Sequence, residues 1–272
     1  ESIWFFSSWG AWAATGLFAF GTLWSWAAFS QGDKIVLRLT GANPVSVDDE
    51  PVLHNVAHEM AIAAGISTPK LFVIETEALN AFATGMSPAH SAIGVTRGLL
   101  DSLDREELQG VIGHEMGLIV NWDIRYATAV GVIVGLIALV SDGALRSLYF
   151  SGRSRNSGKG GSGAAFLMLA LVAFAALAPL FAFLVQMAVS RQREFLADAT
   201  SVRLTRHPQG LISALEKLAS SAQPFRGANR ATQHMFIVNP FRNFKENSSR
   251  LAATHPPMAL RINRLRNLGD NT

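Results

Sequence analysis

The 272-residue sequence predicts an α+β, predominantly helical chain with integral membrane helices. Three observations carry that expectation. The chain is 49% hydrophobic and only 16% charged, which departs from the balance of ordinary soluble domains. The apolar residues are concentrated: Ser2 to Ser30 and Ala164 to Ser190 contain no charged side chain, and each run exceeds the roughly 20 residues that cross a bilayer core. Elsewhere, helical apolar spacing dominates, and short β-rich runs interrupt it only between residues 31 and 123.

Residues 1–30 read as a retained transmembrane helix, because no basic segment precedes the apolar run as a signal peptide requires. Trp4, Trp9, Trp12, Trp24 and Trp26 are spread over its two halves, as interfacial anchors are. Residues 31–123 form the first half of a polar domain. In "PVLHNVAHEMAIAAG" the spacing of Val52, Val56, Met60 and Ala63 predicts a helix that Gly65 ends. "KLFVIET" and "SAIGVT" predict strands, with "ALNAFATG" between them. "LDREELQGVIGHEMGLIVNWD" predicts a helix capped by Asp104 with Glu107 three residues on. No strong breaker follows before Asp142, so this helix is expected to run on into a second span, Tyr126 to Ser141. It carries Gly110, Gly113 and Gly117, each costing about 0.8 to 1 kcal/mol relative to alanine. Either close helix packing or room beside His114 accounts for them. Residues 124–190 form a membrane hairpin through the Gly/Ser-rich loop 150–163, with a kink expected at Pro179 in the third span. Residues 191–272 are polar and mainly helical, and supply the second half of the domain.

The formal charge of +3 comes without a basic run interleaved with aromatics, so no nucleic-acid partner is indicated. Lys34, Arg38, Arg125, Arg191, Arg193, Arg203 and Arg206 outnumber Arg146, Arg153, Arg155 and Lys159 on the opposite flank, which favours a cytoplasmic side for the polar domain. The absence of cysteine excludes a disulfide framework and a thiolate metal site. The two longest spans lack the intramembrane charges of a transport path.

The stretch "GHEMGLIVNWD", residues 113–123, opens like the zinc-binding helix of a metallopeptidase. Zinc hydrolysis needs imidazole and carboxylate donors, an open position for water and a separate carboxylate to take the water proton. In H-E-x-x-H the two histidines share a helix face and the glutamate stands beside the bound water. His114 and Glu115 supply the first two members, but Leu118 stands where the second histidine belongs. A His-Glu pair alone is weak evidence: "HEMAI" at 58–62 has one too, and His54 and His58 lack an accompanying set of carboxylates. Independent support lies downstream, where "SRQREFLADA" sets Glu194 and Asp198 one helical turn apart. The first can bind zinc while the second holds a histidine by its other ring nitrogen. The alternative is an interfacial helix whose charges face water, with Arg191 and Arg193 anchoring the membrane. His114 precedes the second span and Glu194 follows the third, so two crossings return both to one side.

With "LNAFATG", "GVTRGLLDSLDREELQGVIGHE", "REFLADA" and "THPPMALRI" in that order, nearly the whole chain resembles the HtpX-type membrane zinc metallopeptidases, relatives of the CAAX prenyl endopeptidases. The resemblance implies a zincin-like (gluzincin) catalytic domain and cleavage of misfolded or membrane-associated polypeptides, with the site facing the cytoplasm. It implies zinc ligands at His114 and Glu194 and a general base at Glu115. It places Asp198 behind a ligand, and His255 and Arg261 near the site, where His255 contacts the metal or the oxyanion. Asn80 and the strand residues Ala92, Ile93, Gly94 and Val95 resemble the edge on which a peptide adds as a β-strand. Family members usually carry two membrane hairpins, so three spans imply either a further helix upstream of Glu1 or a three-span variant.

Leucine has no lone pair, so the resemblance and the residue disagree at position 118. Losing a partner that merely supports a ligand costs about 10 to 100-fold in metal affinity or activity. A lost ligand costs more. The expectation is therefore weak or absent Zn2+ and negligible proteolysis in this chain, with a pseudoprotease or peptide-binding membrane scaffold as the alternative.

Overall fold

A computed structural model describes residues 31–132, 191–221, 225, 232–238 and 255–269. The expected spans 2–30 and 164–190, most of 126–141, and the loop 150–163 lie outside them. Among the described residues no helix is long and apolar enough to cross a membrane.

Helix α1 (Gly32–Thr40) leads to the short strand β1 (Asn43–Pro44). Helix α2 (Pro51–Ala64) starts on proline, whose missing N–H costs nothing at a first turn, and ends at Gly65 with φ 70°. It buries Leu53, Val56, Ala57, Met60 and Ala61, whereas Val52, expected on the inner face, is 51% exposed and Ala63 is exposed as well. The helix is apolar on most of its faces, so spacing alone did not fix its inward side.

Strands β2 (Lys70–Ile74) and β4 (His90–Thr96) fall on the two β-rich runs. The segment between them forms a further strand, β3 (Ala81–Ser87), unanticipated because alanine and glycine are poor strand formers. The sheet order is β1-β2-β4-β3, with β2 parallel to β4 and the other pairs antiparallel. β4 is therefore internal. Ala92, Ile93, Gly94 and Val95 pair with β2 on one side and β3 on the other, so this strand cannot receive an added peptide as its resemblance implied. The edge on the β4 side is β3. Its first residues are already met by the chain itself: Phe82 bridges Phe236, and the Ile237 N–H donates to the Ala81 carbonyl at 2.9 Å.

After the short helix α3 (Arg97–Ser102), helix α4 (Arg105–Val120) runs through the core with Leu108, Val111, Ile112, Met116 and Ile119 buried. Asp104 caps it as expected: its carboxylate accepts from the Glu106 and Glu107 amides, and Glu107 accepts from the Asp104 amide. Helix α5 (Arg191–Thr205) and helix α6 (Pro208–Ser220) pack directly on α4, and helix α7 (Met258–Gly269) packs on both. The α4 glycines are explained by that packing. A Cβ at Gly110 would lie 2.6 Å from the Leu211 amide, one at Gly113 2.8 Å from Ser201 Oγ, and one at Gly117 3.0 Å from Ala197.

Helix α4 does not run on unbroken. It stops at Asn121, Trp122 takes the left-handed conformation with φ 63°, and a helical stretch resumes over 123–132. Such a conformation costs a non-glycine residue about 1 to 2 kcal/mol. No glycine or proline signals the break in sequence.

Candidate active site

The sequence places His114 and Glu115 in the middle of α4, and Glu194 and Asp198 one turn apart on the face of α5 that meets it. His114 and Glu115 are fully buried, and Glu194 and Asp198 nearly so. The His114 Nδ1–H donates to Asp198 Oδ1 at 2.9 Å, since an ionised carboxylate can only accept. That bond leaves the Nε2 lone pair facing Glu194, whose Oε2 lies 3.7 Å away. On the other side of Glu194, Oε1 is 3.3 Å from His255 Nδ1. Chain separation thus hid a compact group in which one carboxylate stands between two imidazoles.

Arg261, on α7, is wholly buried and supplies the balancing charge. Its Nε donates to Asp198 Oδ2 at 2.9 Å and its Nη2 to Oδ1 at 2.6 Å, a two-pronged pair. Nη1 donates to the Ile237 carbonyl at 3.2 Å and lies 3.5 Å from Glu194 Oε2.

These neighbours separate the acids by proton affinity. Burial raises the Glu115 carboxyl well above its ordinary range, the Glu194 charge adds to the effect, and Arg261 offsets only part of it. Burial opposes ionisation of Glu194 as well, but His255, Arg261 and His114 outweigh it and bring that carboxyl down to about 2. For Asp198 burial is again overcome, by Arg261 and by the hydrogen bonds from His114 and Arg261. One carboxyl near its proton beside two ionised ones is a pattern suited to proton transfer.

Whether these residues fit a metal is answered by their unsatisfied atoms. His114 Nε2, both Glu115 carboxyl oxygens, Glu194 Oε2 and both His255 ring nitrogens are buried without a hydrogen-bond partner. Buried polar atoms are rarely left so, and a donor set of imidazole and carboxylate suits zinc. The set is nonetheless incomplete. Leu118, one turn past His114, packs against the hydrophobic core and offers no donor. No group of three His, Asp or Glu among the described residues is arranged to hold a metal ion. The described residues therefore do not present a full three-ligand zinc site.

Asn80 is buried beside this group but faces inward. Its Nδ2 donates to the Val238 carbonyl at 2.8 Å, and its Oδ1 accepts from the Val238 amide at 3.2 Å and the Ala81 amide at 3.1 Å. Its amide holds a peptide backbone, and that backbone is the chain's own. The His54 and His58 pair is spoken for elsewhere: His54 Nε2 meets the Val45 carbonyl and His58 Nδ1 meets Thr68 Oγ1, each at 3.1 Å.

Two features escaped the sequence reading. His234 is buried with Nε2 3.0 Å from the Ala127 carbonyl, and burial, first among its causes, lowers its pKa to about 4. The segment 236–238 ties Asn80, β3 and Arg261 together. Its signal was the apolar run "FIV" alone, which any core segment shares.

The sequence profile of Peptidase family M48 matches residues 48–269. Two proteins called Protease HtpX homolog, from Thermoanaerobacter pseudethanolicus and Caldanaerobacter subterraneus subsp. tengcongensis, are 45% and 44% identical, each over 98% of this chain and 88% of its own. A protein of the same name from Streptococcus uberis is 41% identical over 91% of this chain and 84% of its own. The crystal structure of S. mikatae Ste24p matches with a TM-score of 0.49 at 21% identity, covering 93% of this chain and 57% of that one.

Proposed function

The chain belongs to peptidase family M48, and from that premise we propose that it is an integral-membrane zinc endopeptidase of protein quality control whose hydrolytic site is disabled at Leu118. One observation carries the proposal: His114, Glu194 and His255 form one buried chain of contacts, and these residues and the adjacent Glu115 keep buried polar atoms that lack a hydrogen-bond partner. A buried polar atom left without a hydrogen bond costs about 1 to 3 kcal/mol, so such a cluster suits a ligand or reacting group.

The residues present divide the work that hydrolysis requires. Glu115 is the group placed to exchange a proton with water and with the leaving amine, because burial and Glu194 keep its proton affinity high. Asp198 holds the ring of His114, and Arg261 holds Asp198. His255 stands opposite His114 across Glu194, where it suits an oxyanion. A zinc ion would belong on His114 and Glu194 and would supply Lewis acidity, but Leu118 withholds the remaining donor.

Misfolded or membrane-associated polypeptides are the proposed substrates. The uncharged runs 2–30 and 164–190 support a multi-pass position in the cell membrane, and the cation distribution supports a cytoplasm-facing site. A peptide-binding scaffold without catalysis is the second reading, favoured by Leu118 itself, which packs against the core and offers no donor.

Bound zinc per chain and casein cleavage, measured on this protein, on Leu118→His and on Leu118→His with Glu115→Gln, test the proposal. The expected result is metal and cleavage in Leu118→His, metal without cleavage in the double variant, and neither in the present chain. If Leu118→His gains neither, the scaffold reading replaces the peptidase one.

A further inference from the structure

Trp122 is a strained residue at the surface, where α4 breaks. Its left-handed φ of 63° falls on a bulky side chain that is 46% exposed, directly after an asparagine that would adopt that conformation more readily. Tyr126, one turn further on, is 54% exposed, and these two are the only aromatics among the exposed large hydrophobic side chains of the described residues. Leu196, on the second turn of α5, is 51% exposed. Cations accompany them. The Arg193 guanidinium lies 4.5 Å over the Tyr126 ring and 3.1 Å from Asp123, so the nearby acid is already paired. Arg125 is exposed and has no ion-pair partner among the described residues.

Exposed aromatics mixed with cations, and without unpaired acid, have the composition of a membrane–water boundary. The position in the chain agrees. Stretch 123–132 enters the uncharged run that ends at Ser141, and the uncharged run Ala164–Ser190 stops at the residue before α5. We infer that Trp122, Arg125, Tyr126, Arg193 and Leu196 form a lipid-contact collar seated at the boundary between headgroups and acyl chains. The inference rests on the membrane reading above and adds which end of the polar domain meets lipid. Since Glu194 follows Arg193 directly, the collar also fixes the candidate site within about one to two helical turns, on the order of 10 Å, of the bilayer surface.

The chain has no cysteine, so single cysteines carry a nitroxide label without background. Labels at Trp122→Cys, Tyr126→Cys and Leu196→Cys are compared with one at Ile62→Cys, which is 68% exposed. Ile62 lies one turn past Glu59, which pairs with Arg105 at the opposite end of α4, roughly 20 Å away at 1.5 Å per residue. The full chain is placed in phosphatidylglycerol-containing vesicles, and collision of each label with oxygen and with a water-soluble nickel chelate is measured. The collar labels are expected to favour oxygen and the Ile62 label the chelate. Tyr126→Cys and Leu196→Cys carry the test even if Trp122→Cys folds poorly, because neither alters the left-handed turn. If the protein floats with the vesicles but its collar labels meet the chelate as Ile62 does, the collar is wrong and the membrane reading stands. Labels shielded from both reagents show a protein-covered surface and also overturn it. A chain that does not float overturns both.

Discussion

Replacing Arg261 by methionine isolates what the buried charge cluster is worth. The guanidinium has no solvent exposure, holds both oxygens of Asp198 at 2.9 and 2.6 Å, and lies 3.5 Å from Glu194. Methionine fills similar volume but leaves two carboxylates in a dry interior beside a third acid. Removing one partner of a buried ion pair costs about 3 to 5 kcal/mol. At about 2 to 4 °C per kcal/mol for a domain of this size, Tm should fall by roughly 6 to 20 °C. Arg261→Lys keeps the charge but loses the two-pronged geometry, and should fall between the two. The assay is thermal unfolding at neutral pH of Arg261→Met, Asp198→Asn and the double variant. Asp198→Asn removes the charge that Arg261 balances, so the double variant should be more stable than the sum of the single losses by about 1 to 3 kcal/mol. The sign with pH follows from the lowered carboxyl of Glu194: its contribution is complete above its unfolded pKa and is lost as pH falls through about 2. A loss below about 1 kcal/mol for Arg261→Met, or strict additivity, would refute the claim that this cluster depends on its cation.

Three further outcomes can be checked independently. His234 is buried neutral with a pKa of about 4 against 6.5 when unfolded, so the unfolded chain binds a proton first and stability falls between pH 6.5 and 4 by about 3 kcal/mol. His234→Gln should flatten that part of the stability profile, and an unchanged slope would assign the acid loss elsewhere. Gly110→Ala adds helix propensity of about 1 kcal/mol but drives a Cβ to 2.6 Å from the Leu211 amide, so denaturant unfolding should show a net loss of about 1 to 2 kcal/mol. A gain would mean that α4 and α6 separate freely. Asn80→Ala unpairs both backbone groups of Val238 and should cost about 2 to 4 kcal/mol while speeding amide exchange at Val238; exchange that stays slow would show that 236–238 is held without Asn80.

What the sequence disclosed was whatever nearest neighbours decide. The Asp104 and Glu107 capping box, the stop at Gly65 and the one-turn spacing of Glu194 and Asp198 depend on residues within four positions of each other. The meeting of His114 with Asp198 was legible for a different reason: the two expected crossings would return Glu194, and Asp198 one turn on, to the side of His114. Register was not legible. β3 is built of alanine, glycine and threonine, so its strand character comes from pairing with β4 rather than from its own preference. Mistaking β4 for the edge followed from missing β3, and no local signal corrects that error. The inward face of α2 and the break at Trp122 were likewise set by packing.

The condition of the site bears on how Leu118 came to stand in it. The polar atoms around His114 are costly in a peptide-binding scaffold: an apolar residue in place of Glu115 would remove a fully buried carboxyl whose ionisation burial opposes. Relaxed selection for catalysis should therefore erode Glu115, Glu194 and their supports as readily as the ligand at 118. They are all in place, with the Asp198 and Arg261 geometry closed around His114. On the reading proposed above, the departure is confined to one side chain, which argues for a working peptidase altered at a single position over a fold long given to another task. Leu118→His distinguishes these histories because His114, Glu115, Glu194 and Asp198 already stand close together.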